Sequence, residues 1–138
     1  WFRSRFDWLR DDHKLIMDYK TTTKAEPDAF IRGPLVALGY DLRAAFYLRA
    51  LRKLGGPQNA KFIWLVQEVD EPFACSLIGM GPQMAEIAEK KVDFAVALWA
   101  QCMETGIWNG YPNRIAWADL PAYAVSRFEE MMELGSQA

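Results

Sequence analysis

Residues 14–22 read KLIMDYKTT, and within them Asp18 and Lys20 set a carboxylate and an ammonium two positions apart. In a strand, side chains at i and i+2 point to the same face. Asp18 and Lys20 are therefore expected to project together, with Tyr19 on the opposite side. A carboxylate beside an ammonium on a rigid element can hold a metal ion and stabilise charge developing on an attacked phosphate. The same pair also makes an ordinary surface ion pair on a strand, and Asp-x-Lys alone does not decide between the two. A further acid, Asp7, lies eleven residues before Asp18. A hairpin would bring the two carboxylates close, and their repulsion makes a shared divalent cation the natural partner. Asp11 and Asp12 compete for that role, but a turn position suits a solvated or capping carboxylate.

The elements that must position these groups follow from the surrounding pattern. The run WFRSRFDWL over 1–9 reads as a strand carrying Asp7, with aromatics and arginines intermixed. Residues 10–13 (RDDH) make a polar turn into the Lys14–Lys20 strand, so the pair reads as a hairpin. The link from Thr21 to Pro27 is polar. Asp28 is expected to cap a helix beginning near Ala29, which Gly33-Pro34 would interrupt or kink. A second helix is predicted from about Tyr40 to Leu54, stopped by Gly55-Gly56. Arg43 and Tyr47 lie four apart on one of its faces. The apolar run at 61–69 reads as a buried strand, and 73–80 returns as its antiparallel partner. Gly81-Pro82 opens a long helix to about Thr105. On it Met84, Ile87, Ala88, Val92, Ala95, Leu98, Trp99 and Cys102 form one apolar stripe, a core or subunit contact rather than a catalytic feature. An aromatic loop at 108–112 (WNGYP) and a last amphipathic helix at 122–134, with Phe128, Met131 and Met132 inward, close the chain.

Composition bounds the class. The 138 residues are 51% hydrophobic, with six Trp, five Tyr and eight Phe, which is globular and excludes disorder. The length suits one domain over 1–138 with a real core. No apolar run reaches membrane-spanning length and no signal-peptide pattern opens the sequence, so the expectation is a cytoplasmic protein without a membrane partner. Cys75 and Cys102 lie far apart in apolar settings and are expected to be buried free thiols. The lone histidine, His13, excludes a site needing two histidines from this chain. The net charge of −2 hides an asymmetry. Residues 1–61 hold 12 basic against 7 acidic side chains, and residues 62–138 hold 4 against 11. The Asp-x-Lys stretch thus lies in the basic part, compatible with a polyanionic substrate and equally with unevenly charged solvated faces.

The order of Asp on a strand, hairpin turn, Asp-x-Lys on a strand, polar link and a helix with Arg43 and Tyr47 resembles the PD-(D/E)xK nuclease superfamily. The closer resemblance is to its RecE-like (exodeoxyribonuclease VIII) and RecB-like branch. It rests on Asp7 in RSRFDWL, Asp18 and Lys20 in MDYKTT, and the GYDLRAAFY segment over 39–47. The strand pair at 61–80, the long helix and the WNGYP loop extend it to about Trp117. The resemblance implies an α/β, restriction-endonuclease-like core with a mixed central sheet flanked by helices. It implies Asp7, Asp18 and Lys20 as catalytic residues. Asp7, Asp18 and the Tyr19 carbonyl would hold Mg²⁺ or Mn²⁺, and Arg43, Tyr47 and Thr21 would contact substrate. The implied activity is metal-dependent DNA cleavage, exonucleolytic, in phage or bacterial recombination or repair. A homo-oligomeric ring and a recombination partner protein belong to the same expectation. Three departures stand out. Phe6 replaces the family's usual Pro before the first Asp. Arg43 replaces its Gln, although Arg also contacts phosphate bidentately. A helix expected upstream is missing, so the domain is expected to be N-terminally incomplete. The alternative is a DNA-binding or assembly module of the same fold whose catalysis has decayed.

Overall fold

The computed structural model describes residues Phe2–Gly135. The predicted hairpin forms, but its first strand is far shorter than the sequence pattern suggests. Only Trp8–Leu9 (β1) pair with Leu15–Thr22 (β2), through Trp8 with Met17 and Leu9 with Ile16. Residues Phe2–Phe6 find no partner strand and run as irregular backbone, so Asp7 stands just before β1 rather than on it. Trp1, the head of the predicted strand, lies outside the described residues. The turn closes by the Arg10 N–H donating to the Leu15 carbonyl at 3.0 Å. His13 takes the left-handed φ of 59° there.

β2 pairs in parallel with Lys61–Glu68 (β3), and β3 pairs antiparallel with Cys75–Gly79 (β4). The sheet order is β1-β2-β3-β4, a mixed sheet. A parallel β2–β3 pair demands a crossover, and the helices between them supply it. The first, α1 (Pro27–Phe30), is capped by Glu26, not by Asp28 as expected. Pro27 takes the first helical position, so the residue before it becomes the cap, and the Glu26 carboxylate accepts from the Asp28 and Ala29 N–H groups. Around Pro34, which lacks an N–H to donate, the chain continues as one π-helical stretch over Ile31–Leu35. Helix α2 (Tyr40–Lys53) follows from Gly39, whose φ of 64° suits glycine.

One face of the sheet packs against α1 and α2. Ile16, Phe62, Trp64, Val66 and Ile78 meet Phe30, Leu35, Ala44, Leu48 and Leu51 there. A smaller cluster of Ala45, Ala88 and Val92 joins α2 to the long helix α3 (Pro82–Thr105). Of the predicted α3 stripe, only Ala88, Val92 and Cys102 are buried. At 24 residues α3 is about 36 Å long against about 21 Å for the 14 of α2, so its partner helix covers only part of it. Phe94, Leu98, Trp99 and Met103 remain exposed. Cys75 is exposed too, contrary to the expectation of a buried thiol, because it opens an edge strand on the face away from the helices. It pairs with Gln67 there.

A second compact unit begins at Ile107. It holds the aromatic loop and helix α4 (Ala122–Gly135). Phe128, Met131 and Met132 were expected inward but are exposed, since a single helix has no second element in its own unit to bury them. Among the described residues, no helix is long and apolar enough to cross a membrane.

Candidate active site

Strand alternation decides which groups of β2 meet. Ile16, Asp18, Lys20 and Thr22 turn toward the helices, while Tyr19 and Thr21 turn away and are exposed. Asp18 and Lys20 thus share one face as expected. The Tyr19 ring goes to the other face, where its hydroxyl donates to Gln67 Oε1 at 2.6 Å. The structure does not bring Thr21 to the Asp18–Lys20 face.

Asp18 is only 3% exposed, an unusual place for a carboxylate. Burial pushes its carboxyl above the usual range. The hydrogen bond and charge of Lys20 oppose that rise, and the charge and hydrogen bonding of Asp7 add to it. Lys20 Nζ donates to Asp18 Oδ2 and, at 3.1 Å, to the Tyr19 carbonyl. One ammonium therefore draws together a carboxylate and a backbone carbonyl.

Asp7 reaches the same spot from outside. The Tyr19 N–H, on the edge of β2 that β1 is too short to cover, donates to Asp7 Oδ2 at 3.0 Å. The residue before it, Phe6, sets its ring edge-on against Tyr47 of α2, centroids 5.4 Å apart. Tyr47 also packs on Phe62 at 6.5 Å. In this fold Phe6 fastens the chain ahead of Asp7 to the core, and Tyr47 is the post it leans on. The rival carboxylate Asp12 is engaged elsewhere. Hydrogen bonds from Arg10, and one from the Lys14 N–H, hold its carboxyl down at about 2. Asp11 is exposed in the same turn.

Arg43 is exposed on α2 and makes no ion pair among the described residues. Its guanidinium carbon lies 5.6 Å from the centroid of the Tyr40 ring. Lys20 Nζ lies 5.0 Å from the same centroid. Tyr40 is a site residue that the sequence pattern did not single out. Its spacing of three from Arg43 on a helix was the available signal; its nearness to Lys20, twenty residues away, was not.

Asp7, Asp18 and the Tyr19 carbonyl make an all-oxygen donor set. Among the described residues no three His, Cys, Asp or Glu side chains are grouped so that they could hold a metal ion by themselves. Two carboxylates and a carbonyl suit Mg²⁺ or Mn²⁺, which keep several waters and bind through one or two carboxylates plus substrate phosphate, and not zinc. The buried Asp18 beside Asp7, with an ammonium already drawn to its oxygen, fits a cation.

The model of a family described as a PDDEXK-like domain of unknown function (DUF3799) matches residues 1–120. The chain belongs to this PDDEXK-like family. Its fold is similar to a crystal structure from Eubacterium rectale described as a “putative exonuclease”, with a TM-score of 0.54 and 15% identity. That match covers 81% of this chain and 47% of the other, so the chain spans about half the length of that protein. The likeness extends to the mixed sheet with flanking helices, the restriction-endonuclease-like core of PDDEXK-like domains. No curated protein matches the sequence.

Proposed function

We propose that this PDDEXK-like domain is a divalent-metal-dependent deoxyribonuclease that hydrolyses phosphodiester bonds, acting as an exonuclease in recombination or repair in the cytoplasm of a bacterial or phage-infected cell. The observation that carries the reading is the convergence of Asp7 and Lys20 on the buried Asp18. A structural ion pair needs no third, like-charged group beside it, whereas a cation site does.

Asp7 and Asp18 are the ligands in this reading, with the Tyr19 carbonyl as a third oxygen. When bound there, Mg²⁺ or Mn²⁺ supplies Lewis acidity at the phosphate and lowers the pKa of a water. Lys20 offers its N–H donors to the attacking water or to the oxygen on which charge develops, and stabilises that charge in a site shielded from bulk water. Arg43, exposed and without a carboxylate partner among the described residues, holds a flanking phosphate by charge-assisted hydrogen bonds. Hydrolysis balances with water alone: its oxygen bonds to phosphorus, the bridging P–O bond breaks, and the departing alkoxide takes up a proton.

The test is digestion of linear and circular duplex DNA of one sequence, with Mg²⁺ and with chelator. The reading expects loss of linear DNA in Mg²⁺ only, with circles persisting. Nicking of circles would replace the exonuclease reading by an endonuclease one. DNA bound but never cut would leave a binding module of the same fold.

A further inference from the structure

We infer that Tyr40 is a positioning residue that sets the two cations of this site, Lys20 and Arg43, through the face of its ring. The inference rests on the nuclease reading above and names what holds its cations in place.

Each N–H of an ammonium seeks an acceptor. Lys20 Nζ gives one to Asp18 and one to the Tyr19 carbonyl, and the Tyr40 ring lies 5.0 Å away as its third neighbour. The negative face of an aromatic ring attracts a cation within about 6 Å of its centroid, more strongly where water is excluded. The Lys20 side chain is 12% exposed, so this contact is made largely out of water. Arg43 approaches the same ring at 5.6 Å. The two cations therefore lie no farther apart than those two distances laid end to end. Their mutual repulsion is offset by a neutral ring that attracts both without consuming their charge. A carboxylate in that place would neutralise them and repel phosphate; a tyrosine leaves both positive charges available to it.

The ring is itself held. Tyr40 opens α2 directly after Gly39, and it stacks on the buried Phe30 with centroids 6.1 Å apart and planes at 25°. Phe30 closes α1, and both rings belong to the core between sheet and helices. Lys20 on β2 and Arg43 on α2 thus share a fixed reference, although they come from different elements.

The experiment is a double-mutant cycle. DNA affinity is measured in Ca²⁺, in the Asp18→Asn background, for proteins carrying Tyr40→Leu, Arg43→Ala or both. Turnover in Mg²⁺ is measured for Tyr40→Leu and Tyr40→Phe. Tyr40→Leu is expected to weaken DNA binding by about fivefold when Arg43 is present, and by clearly less when Arg43 is already Ala, where only the Lys20 contact remains to be lost. Tyr40→Phe keeps the ring face and is expected to retain affinity and turnover near wild type. The Lys20 side-chain Cε–H resonances should shift in Tyr40→Leu, as ring-current shielding is lost, and stay in place in Tyr40→Phe. Equal losses from Tyr40→Leu in both Arg43 backgrounds would overturn the inference and leave Tyr40 a packing residue. So would Lys20 resonances unmoved by Tyr40→Leu. A wild type that cuts DNA while Tyr40→Leu cuts and binds equally well overturns this inference alone. A wild type that neither binds nor cuts DNA overturns the nuclease reading and this inference with it.

Discussion

The backbone N–H of Tyr19 donates to Asp7 Oδ2 at 3.0 Å, and this bond ties the first acid of the site to the strand that carries the second. It exists because β1 ends after two residues, leaving the edge of β2 open beside Asp7. The register that pairs Trp8 with Met17 also sets Asp7 opposite Asp18, so the two acids come from facing positions of the hairpin.

The raised carboxyl of Asp18 makes a prediction about pH. The folded protein favours the protonated form more than the unfolded chain does, because burial disfavours the charge. In the metal-free protein, this group's contribution to stability is present below the unfolded carboxylate range. It is lost as pH rises through the raised value. Asp18→Asn should remove that dependence, so the difference in denaturant midpoint between mutant and wild type should grow in the mutant's favour as pH rises above the unfolded carboxylate range. Mn²⁺ affinity should rise over the same interval in wild type, since the ion takes the ionised form. A difference that does not vary with pH would mean that Asp18 titrates as an ordinary carboxylate.

Lys20 separates ion binding from chemistry. Lys20→Ala should keep Mn²⁺ binding and lose most of the turnover, about a hundredfold or more for a group that acts on developing charge. Ion affinity should rise somewhat, because the ammonium no longer competes for Asp18 Oδ2 and the Tyr19 carbonyl. Turnover at the wild-type rate would reduce Lys20 to an ion-pair partner.

Arg43 should show itself in salt. A phosphate contact displaces condensed counterions, so losing one lowers the slope of log affinity against log salt by about one. Arg43→Ala is expected to do this and to weaken DNA binding. Arg43→Gln should retain more activity than Ala, since an amide can still donate to phosphate. The measurement is a salt series on catalytically silent Asp18→Asn protein in Ca²⁺. Coincident lines would make Arg43 a solvated charge.

A fourth prediction concerns stability away from the site. Asp41 is 4% exposed on α2, and Lys91 of α3 donates to its Oδ2 at 2.6 Å. Its Oδ1 is buried with no partner among the described residues. Lys91→Met would strand the carboxylate. Lys91 is itself nearly half exposed, so the cost is discounted to about 1–3 kcal/mol. Asp41→Asn together with Lys91→Met should recover much of it. Chemical denaturation of the three variants checks this, and an unchanged Lys91→Met midpoint would contradict it.

What the sequence made legible were the features set by local rules. Alternation put Asp18 and Lys20 on one face of β2, and the glycine pair after Leu54 ended α2 where the structure ends it. What stayed hidden depended on partners. The length of β1 is set by which residues find a neighbouring strand, and that pairing is not written in WFRSRFDWL. The cap at Glu26 turned on Pro27 outranking Asp28 as the start of α1. The exposed stretch of α3 follows from the shorter helix beside it. Tyr40 read as the opening of a helix, and only the fold brings Lys20 over its ring.

The most direct test of the central claim is calorimetric titration of Mn²⁺ into wild type, Asp7→Ala and Asp18→Ala, with folding of all three checked by circular dichroism. The account predicts a clear binding heat for wild type and much less for either mutant, because the ion needs both carboxylates. Equal heats in all three folded proteins would remove Asp7 and Asp18 as the ligands and, with them, the metal-dependent nuclease site described above.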